Sequence, residues 1–506
     1  MSENIMLQGT MSGVGKSLIT AALCRIFAQD GYSVAPFKSQ NMALNSFVTR
    51  DGLEIGRAQA VQAYAAGKEP DVRMNPVLLK PSSETGSQLI VGGTVKGDYN
   101  AEAYFKKKKE LVPDIMRAYH SLKEENDIIV IEGAGSPAEI NLKSDDIVNM
   151  GMAERADAPV LLIADIDPGG VFAQIYGTVK LLPDNEAKRI KGIIINKFRG
   201  DRALLENGLK QIEDLTKIPV IGVIPYIKID IDDEDSMSER LNVKSHDKLI
   251  DVAVIRLPFI SNHTDFIPFE RSELTGVRYV CNIRELKRPD MIIIPGTKDT
   301  VGDLKWLKSS GLDKAIIALS MQGTPVLGIC GGYQMLGRRI YDEESDESVE
   351  GIGLLPVKTI FGKGNGKIRK QSRGVINNVF FREVRVSGYE IHMGITLKDT
   401  EDCDNENESS GYFIKKDDDT EDGFISGNVY GTYFHGLFDN AEVLRIFEDM
   451  LLALRGIDIK DTGRYEISDR KISSQILYRE EQIDILAKTV RDNIDMDLLY
   501  KIIEME

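Results

Sequence analysis

The chain has 506 residues, 42% of them hydrophobic and 28% charged, with a net charge of −16. That length calls for two or three domains, since domains of ~100–200 residues are the norm. The acidity argues against a nucleic-acid partner, no apolar run approaches the ~20 residues that span a bilayer, and the four scattered cysteines (Cys24, Cys281, Cys330, Cys403) make no disulfide or metal framework.

The first apolar stretch, Ile5-Met6-Leu7, follows Glu3 and Asn4 with no signal-peptide pattern, so a reducing, cytoplasmic setting is expected. It opens a series of short apolar strands at residues 5–8, 33–36, 128–132, 160–164, 192–196 and 220–224. Helical periodicity lies between them, as at residues 17–28, and this alternation predicts a parallel sheet covered by helices. The run Lys106 to Lys109 reads as a solvated helix face.

Residues 9–17 read GTMSGVGKS, after the first strand and at the head of a helix. That context suits a phosphate-binding loop, in which backbone N–H groups wrap the phosphates and the helix N-terminus adds positive potential. Thr10, Gly13, Gly15, Lys16 and Ser17 are the candidate ATP-binding residues, with Lys16 on the outer phosphates and the Ser17 hydroxyl on Mg²⁺. Thr10 stands where the strict pattern has glycine, so the loop is a variant. Met11 occupies the place of the second lysine that marks partition-type ATPases, and the loop resembles that of dethiobiotin synthetase instead. Glu132 ends the strand of IIVIEGAGS and is the candidate carboxylate for Mg²⁺. Lys38, just past the second strand, is a candidate contact for the transferred phosphoryl group.

The pattern stops near residue 225. Residues 230–238 read DIDDEDSMS and look like a linker. A second α/β series follows, with strands at 251–256, 291–295, 325–329 and 427–433, and with residues 341–350 and 400–422 as surface loops. Residues 328–332 read GICGG between a strand and a helix, the thiol form of the G-x-S-x-G nucleophile elbow. Small neighbours allow the tight turn, and the helix N-terminus favours the thiolate. Of the histidines beyond Cys330, His435 at a strand end is the preferred base and His392 the other candidate. Gly296, in the turn of IIIPGTKDT, and Gly331 are the oxyanion-hole candidates. The tail from residue 472 is helical, with apolar residues at helix-like spacing. It is expected to pack on the second domain or to serve a dimer.

A phosphate-loop ATPase and a cysteine amidase on one chain point to coupled amidation. Over nearly its full length the chain also resembles the cobyric acid synthase family. The resemblance is carried by GTMSGVGKS, FKSQNMALNS, DGLEIGRAQAVQA, EGAGSPAEINL, DIDPGGVFA, NKFRGD, PGTKDT, GICGGYQML, GYEIHMG and GTYFHGLF. It implies a dethiobiotin-synthetase-like P-loop domain (1–228), an acidic linker (229–249), a class I glutaminase-like α/β domain (250–445) and a C-terminal helical segment (446–506). It also implies ATP- and glutamine-dependent amidation of carboxylates b, d, e and g of an adenosylated cobyrinic acid diamide, a small corrinoid. Asn196 of NKFRGD is placed at the nucleotide base mainly on this resemblance.

Class I glutaminases carry a Glu two residues after the catalytic His, and here that position is Leu437. Either Cys330 and His435 work as a pair or another group, such as Glu390, orients the imidazole. The competing functions are an amidoligase for another polycarboxylate, including the a,c-diamide-forming sister enzyme or one that amidates a cell-wall precursor, and a non-catalytic regulatory ATPase. FKSQNMALNS and EGAGSPAEINL disfavour the first, and Met11 with the Cys330–His435 pair disfavours the second.

Overall fold

A computed structural model describes residues 2–81, 86–231, 248–343, 345–362, 367–378, 381–399, 410–458 and 475–504. The chain forms two compact units. The first comprises Met1–Ala43, Leu53–Asp235 and Arg479–Glu506, and the second Leu44–Gly52 and Ser236–Tyr478.

The first unit holds a six-stranded sheet in the order Val220–Pro225, Ile190–Phe198, Val160–Asp165, Glu3–Gly9, Ile128–Glu132, Val34–Phe37. All neighbours are parallel. Ile5, Leu7, Val130, Leu161 and Ile163 are fully buried, as expected for strands covered on both faces. Glu3–Gly9 lies centrally, with the strand that ends in Glu132 on one side and Val160–Asp165 on the other. The chain reverses its winding there, and in open α/β sheets ligands bind beyond the carboxyl ends of the strands at such a point.

Two features of this unit escape the sequence pattern. A smaller four-stranded sheet joins Gln40–Met42, Val77–Pro81, Gly86–Val91 and Thr94–Asn100. From Arg479 on, the C-terminal helices Gln475–Arg491 and Met496–Ile503 belong to this unit rather than to the second. Ile483, Leu486, Val490, Leu499 and Ile502 are buried in one cluster with Leu23, Ile26, Phe27 and Ile221. The helix periodicity was right and the packing on the second domain was not, because an apolar stripe says that a face is covered and not by what. The basic run is also corrected in part. Lys106 and Lys109 are exposed, but Lys108 is buried at the junction of Ala101–Lys107 with a 3-10 turn, and burial pushes its pKa down. The turn breaks the helical spacing that would have kept it outside.

The second unit holds a seven-stranded sheet in the order Thr275–Val280, Ile250–Ile255, Met291–Ile294, Val326–Ile329, Val429–Thr432, Phe424–Ser426, Ser410–Gly411. The first five are parallel and the last two antiparallel. A long hairpin, Ile368–Asn378 with Phe381–His392, pairs with Phe434–His435. Residues 341–350, expected as loop, include a hairpin in which Arg339–Asp342 pairs with Glu347–Glu350, and much of 410–422 is short strand. Residues 232–247, which hold most of the expected linker, and 400–409 lie outside the described residues.

Candidate active sites

In the first unit, the loop after the central strand turns through Gly13 (φ 74°) and Gly15 (φ 92°) into helix Lys16–Gln29. Left-handed backbone is cheap only for glycine. Gly15 has a second reason to lack a side chain, since a Cβ there would lie 2.4 Å from Asn196 Nδ2. Lys16 Nζ donates to the carbonyls of Met11 (3.1 Å) and Gly135 (3.2 Å), which folds the side chain back over the loop. Thr10 Oγ1 donates to Gln174 Oε1 at 3.2 Å.

Glu132 gathers the candidate metal and phosphoryl residues. Its Oε1 accepts from Ser17 Oγ at 2.9 Å and from Lys38 Nζ at 2.8 Å, and its Oε2 accepts from Gln62 Nε2 at 2.6 Å. Burial alone would raise the carboxyl pKa. The Lys38 charge and the hydrogen bonds from Lys38, Gln62 and Ser17 outweigh it and hold the pKa below the ordinary value. The ionised form is therefore ready for a cation.

Asn196 Nδ2 donates to Val14 O at 2.8 Å, and Lys197 Nζ reaches Gly13 O at 2.8 Å and Asp165 Oδ2 at 2.9 Å. Both side chains brace the loop from the end of strand Ile190–Phe198. Lys197 also has a left-handed φ of 58°. Its role as a loop brace was not read from sequence, nor was the hydrogen bond from Gln62 to Glu132.

In the second unit, strand Val326–Ile329 runs into Cys330, which has φ 53° and ψ −109°, and then into helix Gly331–Leu336. Such a strained non-glycine turn is what a nucleophile elbow imposes. The turn is packed so closely that a Cβ on Gly332 would sit 1.9 Å from Ile294 O. Gly331 begins the helix, so its N–H is one of those without an intrahelical acceptor. A Cβ on Gly296 would come within 3.3 Å of His435 Cε1, which sets that turn beside the imidazole.

His435 Nδ1 is hydrogen-bonded to Asp265 Oδ2 at 2.7 Å, and the Cys330 thiol, whose Sγ lies 3.5 Å from Ile391 O, is near enough to bear on the imidazole's charge. The other Asp265 oxygen accepts from Gly436 N at 2.9 Å. Burial would lower the imidazolium pKa, but the Asp265 charge and hydrogen bond, with Cys330 behind them, push it up to about 10. The imidazole is thus oriented by a carboxylate, as the base of a cysteine nucleophile requires.

Family models match both halves. Residues 5–238 match the CobQ/CobB/MinD/ParA nucleotide binding domain, and residues 251–443 match the CobB/CobQ-like glutamine amidotransferase domain. A cobyric acid synthase of Lachnoclostridium phytofermentans is 52% identical, over 100% of this chain and 99% of its own length. Those of Ruminiclostridium cellulolyticum (51%; 100% and 98%) and Streptococcus sanguinis (48%; 100% of both) are similar over the same span. The chain belongs to the cobyric acid synthase family. It is a glutamine-hydrolysing ligase with a nucleotide-binding domain, and the expected fold class holds in both halves.

Within this cobyric acid synthase fold, the expected residues form two clusters. One gathers Lys16, Ser17, Lys38, Glu132 and Asn196, and the other Cys330, His435, Gly296 and Gly331. Glu390 does not orient the imidazole. In the register of the hairpin, Tyr389 opposes His435 and Glu390 opposes Phe434, so strand alternation sends Glu390 to the other face. There its carboxylate accepts from Ser372 Oγ and Lys416 Nζ. His392 stacks on Tyr433, with ring centroids 3.6 Å apart, and its Nδ1 contacts Gly394 O. Asp265 was missed because NHTDF, far ahead of Cys330, carries no motif. Among the described residues, no helix is long and apolar enough to cross a membrane.

Proposed function

We propose that this chain amidates carboxylates b, d, e and g of adenosylcobyrinic acid a,c-diamide to give adenosylcobyric acid, with ATP as activator and glutamine as nitrogen donor. Full-length similarity to cobyric acid synthases is the observation that carries the reading, and both clusters supply suitable chemistry.

At the first cluster, the backbone of residues 9–17 cradles the ATP phosphates while Lys16 and Lys38 bring positive charge to the transferred group. The corrinoid carboxylate oxygen attacks the γ-phosphorus and ADP leaves, which turns a poor leaving oxygen into phosphate. Ser17 and Glu132 suit Mg²⁺. Their oxygens are 2.9 Å apart, matching the edge of an octahedron with metal–oxygen bonds of about 2.1 Å. Mg²⁺, when bound, neutralises charge on the phosphates.

At the second cluster, the Cys330 sulfur attacks the glutamine side-chain carbonyl, and the N–H groups of Gly296 and Gly331 receive the oxyanion. The His435 imidazolium, held by Asp265, gives its proton to the departing nitrogen. Ammonia leaves a thioester that water hydrolyses to glutamate, with His435 now acting as base. Ammonia attacks the acyl phosphate, phosphate departs, and a proton is lost to give the amide.

The test is mass spectrometry of adenosylcobyrinic acid a,c-diamide after incubation with the protein, ATP, Mg²⁺ and amide-¹⁵N glutamine. Successive labelled amides are expected. An unlabelled, unchanged corrinoid in a protein that still hydrolyses glutamine would reject this acceptor and leave another polycarboxylate in its place.

A further inference from the structure

The motif FKSQNMALNS has one role in the sites above, that of Lys38. Past Met42 and Ala43 the chain leaves the first unit, and Leu44–Gly52 belongs to the second. Both ends of this segment are anchored in the first unit. Lys38 pairs with buried Glu132 on one side, and on the other Glu54 pairs with Lys80 at 2.9 Å, both carboxylates being buried.

Within the second unit the segment meets the turn that carries Asp265. Buried Asn45 uses both ends of its amide there. Its Oδ1 accepts from the Asn262 backbone N–H at 2.8 Å, and its Nδ2 donates to His263 Nδ1 at 2.9 Å. Asn262 is left-handed, with φ 52°, and caps the short 3-10 turn His263–Phe266. Asparagine tolerates that conformation better than most residues, and its neighbours hold the turn in one position. Asn45 is one such neighbour, and Tyr389 OH, which accepts from Asn262 Nδ2 at 2.9 Å, is another. Tyr389 in turn donates to Ser46 O at 3.4 Å, lies against Phe47, and stacks on His435 with centroids 5.3 Å apart. Asp265 N closes the turn on Asn262 O at 3.1 Å.

We propose that Asn45 is a positioning residue for glutamine hydrolysis. It fixes the Asn262 turn that aims Asp265 at His435, so a segment from early in the chain sets the geometry of the glutaminase. The inference rests on the Cys330–His435 glutaminase reading given above. Asn45 touches neither thiol nor imidazole and acts only through the turn.

The test compares Asn45→Ala and Asn45→Asp with the unaltered full-length protein, measuring glutamine hydrolysis against pH and amidation driven by ammonium chloride. For Asn45→Ala, kcat for glutamine falls about ten- to a hundredfold, as for other orienting groups behind a reactive residue. KM stays nearly unchanged, the alkaline limb of the profile moves to lower pH, and ammonia-driven amidation is retained. Asn45→Asp keeps the acceptor for the Asn262 N–H and recovers part of the rate. Unaltered kcat and pH profile in Asn45→Ala would overturn the proposal. So would equal losses with both nitrogen sources at an unmoved profile, which would mark a purely structural residue. No glutamine hydrolysis in the unaltered protein would instead reject the glutaminase reading itself.

Discussion

His435 Nδ1 lies 2.7 Å from Asp265 Oδ2, although 170 positions separate the two residues. This bond takes the place of the absent Glu at Leu437. Asp265→Asn keeps the shape and removes the charge. The rate of glutamine hydrolysis should drop by about a hundredfold or more, following the logic of other oriented histidines. The pH profile should change as well. A histidine raised to about 10 stays protonated up to that pH, and the carboxylate is a principal cause. Without it the imidazolium loses its proton at lower pH, so the alkaline limb of kcat/KM should move downward. Steady-state assays from pH 6 to about pH 10.5 check this against the ordinary His value of about 6.5.

Removing the thiol separates the two chemistries. Cys330→Ala should abolish glutamine use and retain amidation with ammonium salts, because nothing at Glu132 changes. Lys16→Ala should stop amidation with either nitrogen source. Amide formation is followed by mass spectrometry. Loss of ammonia-driven synthesis in Cys330→Ala would break the proposed division of labour.

The Lys38–Glu132 pair is almost wholly buried, with side-chain exposures of 7% and 1%. Stripping one partner from a buried pair leaves a charge without its counter-ion and costs about 3–5 kcal/mol. Glu132→Ala should therefore destabilise the first unit by about that amount, and the double variant Lys38→Met, Glu132→Gln by less than Glu132→Ala. Denaturant unfolding reads the difference, and ATP-dependent amidation should be lost in both variants.

The C-terminal helices should behave as core of the first unit. Leu486 is 2% exposed and packs in its cluster, so Leu486→Ala should cost about 2–5 kcal/mol. Ile485, on the same helix but 45% exposed, is the control, and its replacement by Ala should cost much less. Denaturant unfolding with a probe in the first unit checks the assignment.

Much of both sites was legible because local chain geometry makes them. A phosphate loop is a strand, a glycine turn and a helix start within nine residues, and a nucleophile elbow is the same arrangement around one thiol. GTMSGVGKS and GICGG therefore announce themselves, and the short apolar runs around them give the parallel strands by alternation alone. Lys38 and Glu132 were legible for a related reason, since residues at the carboxyl ends of neighbouring parallel strands converge.

What the sequence determined by itself was the pair of chemistries and the α/β layering of each half, because both follow from short-range patterns of glycine, charge and apolar spacing. Only the tertiary structure decided that Asp265 orients His435, that Glu390 faces away from it, that Asn45 and its segment belong with the glutaminase, and that the last helices cover the first sheet. These are pairings between residues far apart in the chain. A side chain's type states what it can bond or bury against, but the choice among many candidate partners is made by strand register, turn geometry and the surface left uncovered when the sheets have formed.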